Sequence, residues 1–329
     1  MRRLAATANT YLEDYCGEME GINRGLASDR LLVDRNLESP VTCVLSSKPQ
    51  PRSARRPTVS APDLAALAAF AGSLADTGRA TIRDALGQAR SFVTKGDASP
   101  VTAIGREVEK RLRARIRQAY PEHGILGEEF EPVGLDSEWV WVIDPIDGTK
   151  AFITGIPTFG TLIALARNGV PVLGVIDNPV TGERWLGADG VPTSLNGKPV
   201  RTRACGKLAE TLVGNGNPES FDDVDTAAFR RLRRQVRWSV YGGGCHAYGR
   251  VADGALDISV DGGLDAFDYC ALVPVVRNAG GAMSDWQGGE LTIGSGRPPA
   301  RPPPPPPRPR PRAPATKPIP QITPAPATL

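Results

Sequence analysis

Histidine is scarce in this chain, occurring only as His123 and His246, and none of the five cysteines (Cys16, Cys43, Cys205, Cys245, Cys270) forms a C-x-x-C pair. A zinc site built from paired thiols and imidazoles is thereby excluded. An odd number of scattered thiols also argues against a disulfide framework and for a reducing cytoplasm. No apolar run approaches the ~18 residues of a membrane span, and no secretory hydrophobic region opens the sequence. The expectation is a soluble cytoplasmic protein with no membrane partner. Acids are missing from residues 297–329, which carry Arg297, Arg301, Arg308, Arg310, Arg312 and Lys317. The net charge of +3 therefore resides in that tail, and the remaining body is slightly acidic. Such a body is no nucleic-acid binder.

At 329 residues and 40% hydrophobic, the chain can bury a sizeable core. Three regions are expected. Residues 1–60 lack sustained periodicity and read as a disordered extension, since Glu13, Asp14, Glu18 and Glu20 are out of place in an organelle leader. Residues 61–296 form one catalytic unit. Residues 297–329 hold 15 of the chain's 31 prolines, a density that excludes helix and central strand and leaves a disordered, basic polyproline tail. Within the unit, Leu64, Leu67, Phe70 and Leu74 recur at helical spacing. So do Ile104, Val108, Leu112 and Ile116, whose intervening charges read as a solvated face that needs no functional explanation. Further helical segments are expected near 225–235, 245–253 and 268–279. Thr161–Ala166, Val170–Ile176 and Arg184-Trp185-Leu186 are joined by short turns, which predicts an antiparallel meander. The fold class is α+β, with mixed layers of helix and sheet.

What the chain does have is carboxylate at the ends of apolar elements. Trp139-Val140-Trp141-Val142-Ile143 has strand character and stops abruptly in Asp144-Pro145-Ile146-Asp147-Gly148-Thr149. Gly127-Glu128-Glu129 follows the short strand Gly124-Ile125-Leu126. Phe267-Asp268 opens a helix that closes at Gly280-Gly281, and Lys95–Thr102 reads Lys-Gly-Asp-Ala-Ser-Pro-Val-Thr. Each piece alone has a structural reading: Asp-Pro and Asp-Gly form turns, and Asp268 can cap its helix. Together, with no imidazole or thiol among them, they describe an oxygen-ligand site for Mg²⁺. Phosphate monoester hydrolysis needs such help, because its uncatalysed rate demands up to ~10²¹-fold acceleration. A divalent cation neutralises phosphate oxygens and activates a water for attack. Glu128, Asp144, Asp147 and Asp268 are the candidate carboxylates, Ile146 offers its carbonyl, and Gly148 and Thr149 offer backbone N–H groups and a hydroxyl to phosphate.

In this order the pieces resemble the inositol monophosphatase family of Mg²⁺-dependent phosphatases over about residues 62–296. The resemblance implies a layered α-β-α-β-α sandwich and a homodimer. It implies Glu128, Asp144, the Ile146 carbonyl, Asp147 and Asp268 as metal ligands, and Thr149 as the hydroxyl that orients the attacking water with Glu128 and Asp147. Asp147, Gly148, Thr149, Asp261 and Asp268 match its substrate-binding positions. The stretches Asp147–Gly155, Phe159–Leu165 and Pro171–Ile176, closing in Glu183-Arg184-Trp185, are most similar to the histidinol-phosphatase branch. That implies hydrolysis of a small phosphorylated metabolite, L-histidinol phosphate, in histidine biosynthesis. Inositol monophosphate or another small phosphate is the first alternative, and a catalytically impaired pseudo-phosphatase serving as an interaction protein is the second.

Three departures from the pattern keep those alternatives open. An acid normal to the family three residues after Thr102 is replaced by Gly105, with Asp97 as a candidate substitute. Relatives usually carry aspartate where Gly244 stands, to grip the substrate's polar groups, so a cationic amino alcohol loses an ionic partner. The proline tail stands where relatives continue into a last strand and helix, so core and a sheet edge past Leu291 are expected to be uncovered. His246 and His123 are assigned local packing or hydrogen bonding.

Overall fold

The computed structural model describes residues 41–45, 61–86, 92–94, 100–286 and 288–295. Residues 297–329, nearly all of 1–60, and Asp97 lie outside that set. Helices α1 (Ala61–Ala85) and α2 (Ala103–Ala119) have a small antiparallel pair, β2 (Phe92–Thr94) and β3 (Pro100–Thr102), between them. A seven-stranded sheet follows in nearly unbroken chain order: β4 (Gly124–Gly127), β5 (Trp139–Asp147), β6 (Gly160–Arg167), β7 (Val170–Asp177), β8 (Arg184–Ala188), β9 (Val191–Leu195) and β10 (Lys198–Pro199). Every neighbouring pair is antiparallel except β4 and β5. The meander read from the apolar runs and turns is this sheet.

Alternation along the central strands sorts side chains to the two faces. Trp141, Ile143, Ile163 and Leu165 pack with α1 and α2, through Leu64, Leu67, Leu74, Val108, Leu112 and Ile116. Val140, Val142, Leu162 and Ala164 face the other way, onto α5 (Gly244–Ala252), α6 (Ala266–Tyr269) and α7 (Leu272–Asn278). Those helices cover a second sheet, with strand order β12 (Trp238–Tyr241), β11 (Leu212–Asn215), β13 (Ile258–Gly262), β1 (Val41–Leu45) and β14 (Ala282–Asp285). On its far side Phe229 of α4 (Asp223–Gln235) packs against Val213, Ile258 and Val260. The result is five layers in the order α-β-α-β-α.

Two expectations need correction. Val41–Leu45 falls in the segment read as unstructured, yet it is a strand, paired antiparallel with β13 (Val41 opposite Gly262) and with β14 (Thr42 opposite Asp285). It joins β13 to β14 in the region expected to stand open. The charges of α2 are not all solvated either: Glu109 is fully buried and Arg113 nearly so.

One pair of glycines decides where the acid-bearing helices sit. Gly174 and Gly187 face each other across β7 and β8. A Cβ on Gly174 would fall 2.0 Å from the Ala271 carbonyl oxygen, and one on Gly187 would fall 2.6 Å from that of Pro274. The sheet is bare at this point so that the segment carrying Asp268 can lie directly on its backbone. Gly174→Ala should therefore lower stability by about 3 kcal/mol, the upper range for overpacking a rigid core, read from the denaturant midpoint of unfolding.

Candidate metal centre

A regular strand would place Asp144 and Asp147, three residues apart, on opposite faces. The pairing of β5 with β6 shifts between them: Asp144 is opposite Leu162 and Asp147 opposite Gly160, so two residues of β5 answer one of β6. This bulge re-aims the strand end. It is held by the Thr161 hydroxyl, which donates to the Pro145 carbonyl at 2.9 Å, and by the Ile146 N–H, which donates to Asp144 Oδ1 at 2.9 Å. The chain then turns at Gly148 into the short helix α3 (Thr149–Thr154). There the Thr149 hydroxyl donates to the Ile146 carbonyl at 3.0 Å, which leaves the oxygen's lone pairs as an acceptor.

Asp268 arrives from the other side, in the first turn of α6. It completes a capping box, accepting from the Asp265 N–H at 2.7 Å, and so performs the capping role and faces the strand end as well. Carboxylate atoms of Asp144, Asp147 and Asp268 all lie within 4.8 Å of one another. Asp144 is buried; Asp147 and Asp268 are half-buried. Burial first, and then the charges of Glu128, Asp147 and Asp268, hold the Asp144 carboxyl well above the usual carboxylate range. Burial and the charge of Asp147 do the same to Asp268. Asp147 is also pushed up by burial, against the opposing effect of the Cys245 N–H, which donates to its Oδ2 at 2.9 Å from the start of α5. Three acids concentrated in this way are stabilised in their charged form by a divalent cation, and an all-oxygen donor set of this kind suits Mg²⁺.

Of the ligand set expected from sequence, the structure thus brings Asp144, Asp147 and Asp268 together. Glu128 stands outside that trio but close enough for its charge to bear on all three. The Ile146 carbonyl lies between them in the chain and is engaged by Thr149. Asp261 is almost fully buried near the end of β13. Its carboxylate accepts from the Gly216 N–H at 2.6 Å, Asn215 Nδ2 at 3.2 Å and the Tyr248 hydroxyl at 2.9 Å. Burial pushes it up to about 7 despite those donors, and the charge of Asp147 adds to the rise. Gly244 has φ +49°, and a Cβ there would stand 3.1 Å from Asp147 Oδ2, so position 244 faces the acids directly. A Cβ on Gly105 would meet Glu129 Oε1 at 3.1 Å and the Thr102 hydroxyl at 3.3 Å; that hydroxyl caps α2 by accepting the Gly105 N–H.

Both histidines are occupied locally. His246 contacts Asn178 at 3.3 Å, Arg250 at 3.2 Å and Glu183 at 3.3 Å, with its ring against Trp185. His123 stacks between Tyr120 and Trp139 and accepts the Trp141 indole N–H at 3.1 Å. Sequence reasoning missed Glu109 and Arg113, which grip the loop carrying Glu128. The signal was present: each directly follows a member of the apolar stripe, Val108 and Leu112, and they stand four apart with opposite charge.

Known proteins match most of this chain. The sequence profile of the inositol monophosphatase family fits residues 63–312. The bifunctional phosphatase IMPL2, chloroplastic, of Arabidopsis thaliana is 42% identical over 228 residues, covering 69% of this chain and 66% of its own length. A histidinol-phosphatase of Chlorobaculum parvum is 34% identical over 201 residues, covering 61% of this chain and 78% of its own. Among solved structures, an inositol monophosphatase from Zymomonas mobilis superposes with a TM-score of 0.65 at 40% identity, covering 72% of this chain and 91% of its own. The profile spans well over half the chain, and it matches where the five layers and the acidic cluster lie. This chain belongs to the inositol monophosphatase family, whose members are Mg²⁺-dependent phosphoric monoester hydrolases.

Proposed function

We propose that this chain hydrolyses L-histidinol phosphate to histidinol and phosphate, with Mg²⁺ held by Asp144, Asp147 and Asp268 and completed by Glu128 and the Ile146 carbonyl. The observation that carries the reading is the convergence of the three aspartates within 4.8 Å at a strand end. Bound Mg²⁺ supplies charge neutralisation at the phosphate and acidifies the attacking water. The remaining work falls to the chain. Thr149 donates its proton to Ile146, so its oxygen can accept from the water and orient it. The N–H groups of Gly148 and Thr149 receive phosphate oxygens. Cys245 N–H holds Asp147 in place. Asp261 fixes the Asn215-Gly216 loop and Tyr248 beside the substrate.

The choice of histidinol phosphate rests on the Asp147–Trp185 segments and on the histidinol-phosphatases among the relatives. Inositol-1-monophosphatases are also among them, at 34% identity, and make inositol phosphate the second reading. We place the protein in the cytoplasm as a homodimer; no helix among the described residues is long and apolar enough to cross a membrane. Glu129, whose carboxylate lies beside Gly105, is a second candidate substitute acid alongside Asp97.

Phosphate release with Mg²⁺ should be faster from histidinol phosphate than from inositol 1-phosphate, and Asp147→Asn should lower it by ~10²-fold or more. No release above that variant would establish the pseudo-phosphatase instead. Gly244→Asp, a residue tolerated at positive φ better than most, adds a carboxylate for the substrate's ammonium. It should raise kcat/KM on histidinol phosphate by about tenfold and leave inositol phosphate turnover unimproved; equal gains on both would refute the assignment of position 244 to substrate choice.

A further inference from the structure

Glu128 follows β4, which lies at the edge of the seven-stranded sheet and carries on its outer side an isolated bridge between Ile125, three residues before Glu128, and Val133. Its N–H donates to the Ile143 carbonyl at 3.3 Å, which sets it in register with the residue before Asp144. An edge strand of four residues frays easily, so an acid at its end needs holding from elsewhere. We propose that the buried pair Glu109–Arg113 on α2 is a positioning device for Glu128, clamping the backbone on both sides of it. This rests on the reading of Glu128 as a Mg²⁺ ligand.

The hydrogen bonds define the clamp. Glu109 Oε2 accepts the Glu129 N–H at 2.8 Å, and Oε1 accepts Arg113 Nε at 2.7 Å. Arg113 then donates to the Phe130 carbonyl at 2.9 Å and the Glu131 carbonyl at 3.1 Å. Three consecutive residues after Glu128 are thus fastened by one ion pair, and both Arg113 and Arg106 stack over the Phe130 ring. On the other flank, a Cβ at Gly127 would fall 2.0 Å from Glu109 Oε1. Glycine is required there so that the carboxylate can press against the chain one residue before Glu128.

A buried ion pair is a poor device for stability alone, since well-packed apolar residues of similar volume serve as well or better. What it provides is direction: beyond the pair's own bond, Glu109 Oε2 and both terminal guanidinium nitrogens of Arg113 bond to backbone groups of residues 129–131. Apolar side chains could fill the volume but could not fix the rotation of that loop. The expected consequence of losing the clamp is a metal site with its distant carboxylate misplaced, while Asp144, Asp147 and Asp268 stay where β5 and α6 put them.

The test compares Glu109→Gln, Arg113→Lys, Glu128→Ala and a remote core variant, Val213→Ala, in the full chain. Mg²⁺ affinity is measured by calorimetry and by the Mg²⁺ concentration that half-saturates the rise in melting temperature, beside the Mg²⁺ dependence of phosphate release. Glu109→Gln and Arg113→Lys should weaken Mg²⁺ by ~10- to 100-fold, the range for residues that orient a ligand, approaching the effect of Glu128→Ala. Val213→Ala should lower the melting temperature without moving the Mg²⁺ titration. If Glu128→Ala weakens Mg²⁺ binding while Glu109→Gln and Arg113→Lys only lower the melting temperature, the clamp is overturned and the ligand assignment stands. If Glu128→Ala leaves Mg²⁺ binding unchanged, the assignment of Glu128 and the clamp fall together.

Discussion

Carboxylates gathered at the end of one strand repel one another, and most of the local architecture exists to keep them there. Asp144, Asp147 and Asp268 are all driven toward protonation by burial first and then by neighbouring carboxylate charge, that of Glu128 bearing on all three. Without a cation such a cluster is a liability to the fold. It persists because each member is anchored through a different backbone device: a β-bulge for the first two, a capping box for the third, and an N–H from a further helix on Asp147. A glycine pair on the sheet admits the helix segment, and a buried ion pair steadies the neighbouring loop. The acidic cluster thus rests on neighbouring layers that offset its charge repulsion.

The elements were legible wherever periodicity was strong. The alternating strands of the meander and the stripe Val108, Leu112, Ile116 are visible because burial imposes a period on residue type. The second sheet was much less so. Its strands are four or five residues long and come from distant parts of the chain, so each is too short to show a pattern of its own. The order of the acids pointed to the site, but not to how they meet: spacing in sequence cannot reveal that a register shift brings Asp144 and Asp147 to one side. Glu109 and Arg113 were read as solvent-facing because charge predicts exposure, and only their backbone partners, which sequence does not display, explain why they are buried.

The departures at Gly105 and Gly244 take on different weights once placed in space. Position 105 is not an empty gap in the charge pattern, because the Glu129 carboxylate approaches it. Position 244 lies against Asp147 in a left-handed conformation that few side chains accept. The first change has a neighbouring acid at hand; the second removes a group from the wall facing the acids. Both positions thus lie beside acidic side chains, Gly105 beside Glu129 and Gly244 beside Asp147.

The two sheets also differ in how far apart their strands lie along the chain. All six pairings of the larger sheet join strands that are consecutive in sequence, from Gly124 to Pro199, whereas the smaller one joins Val41–Leu45 to strands from Ile258 onward. Asp144 and Asp147 belong to the sheet built from neighbours in sequence, whereas Asp268 comes from a segment much later in the chain. The acidic cluster is therefore complete only where locally paired and distantly paired parts of the chain meet, and neither part holds the three carboxylates by itself.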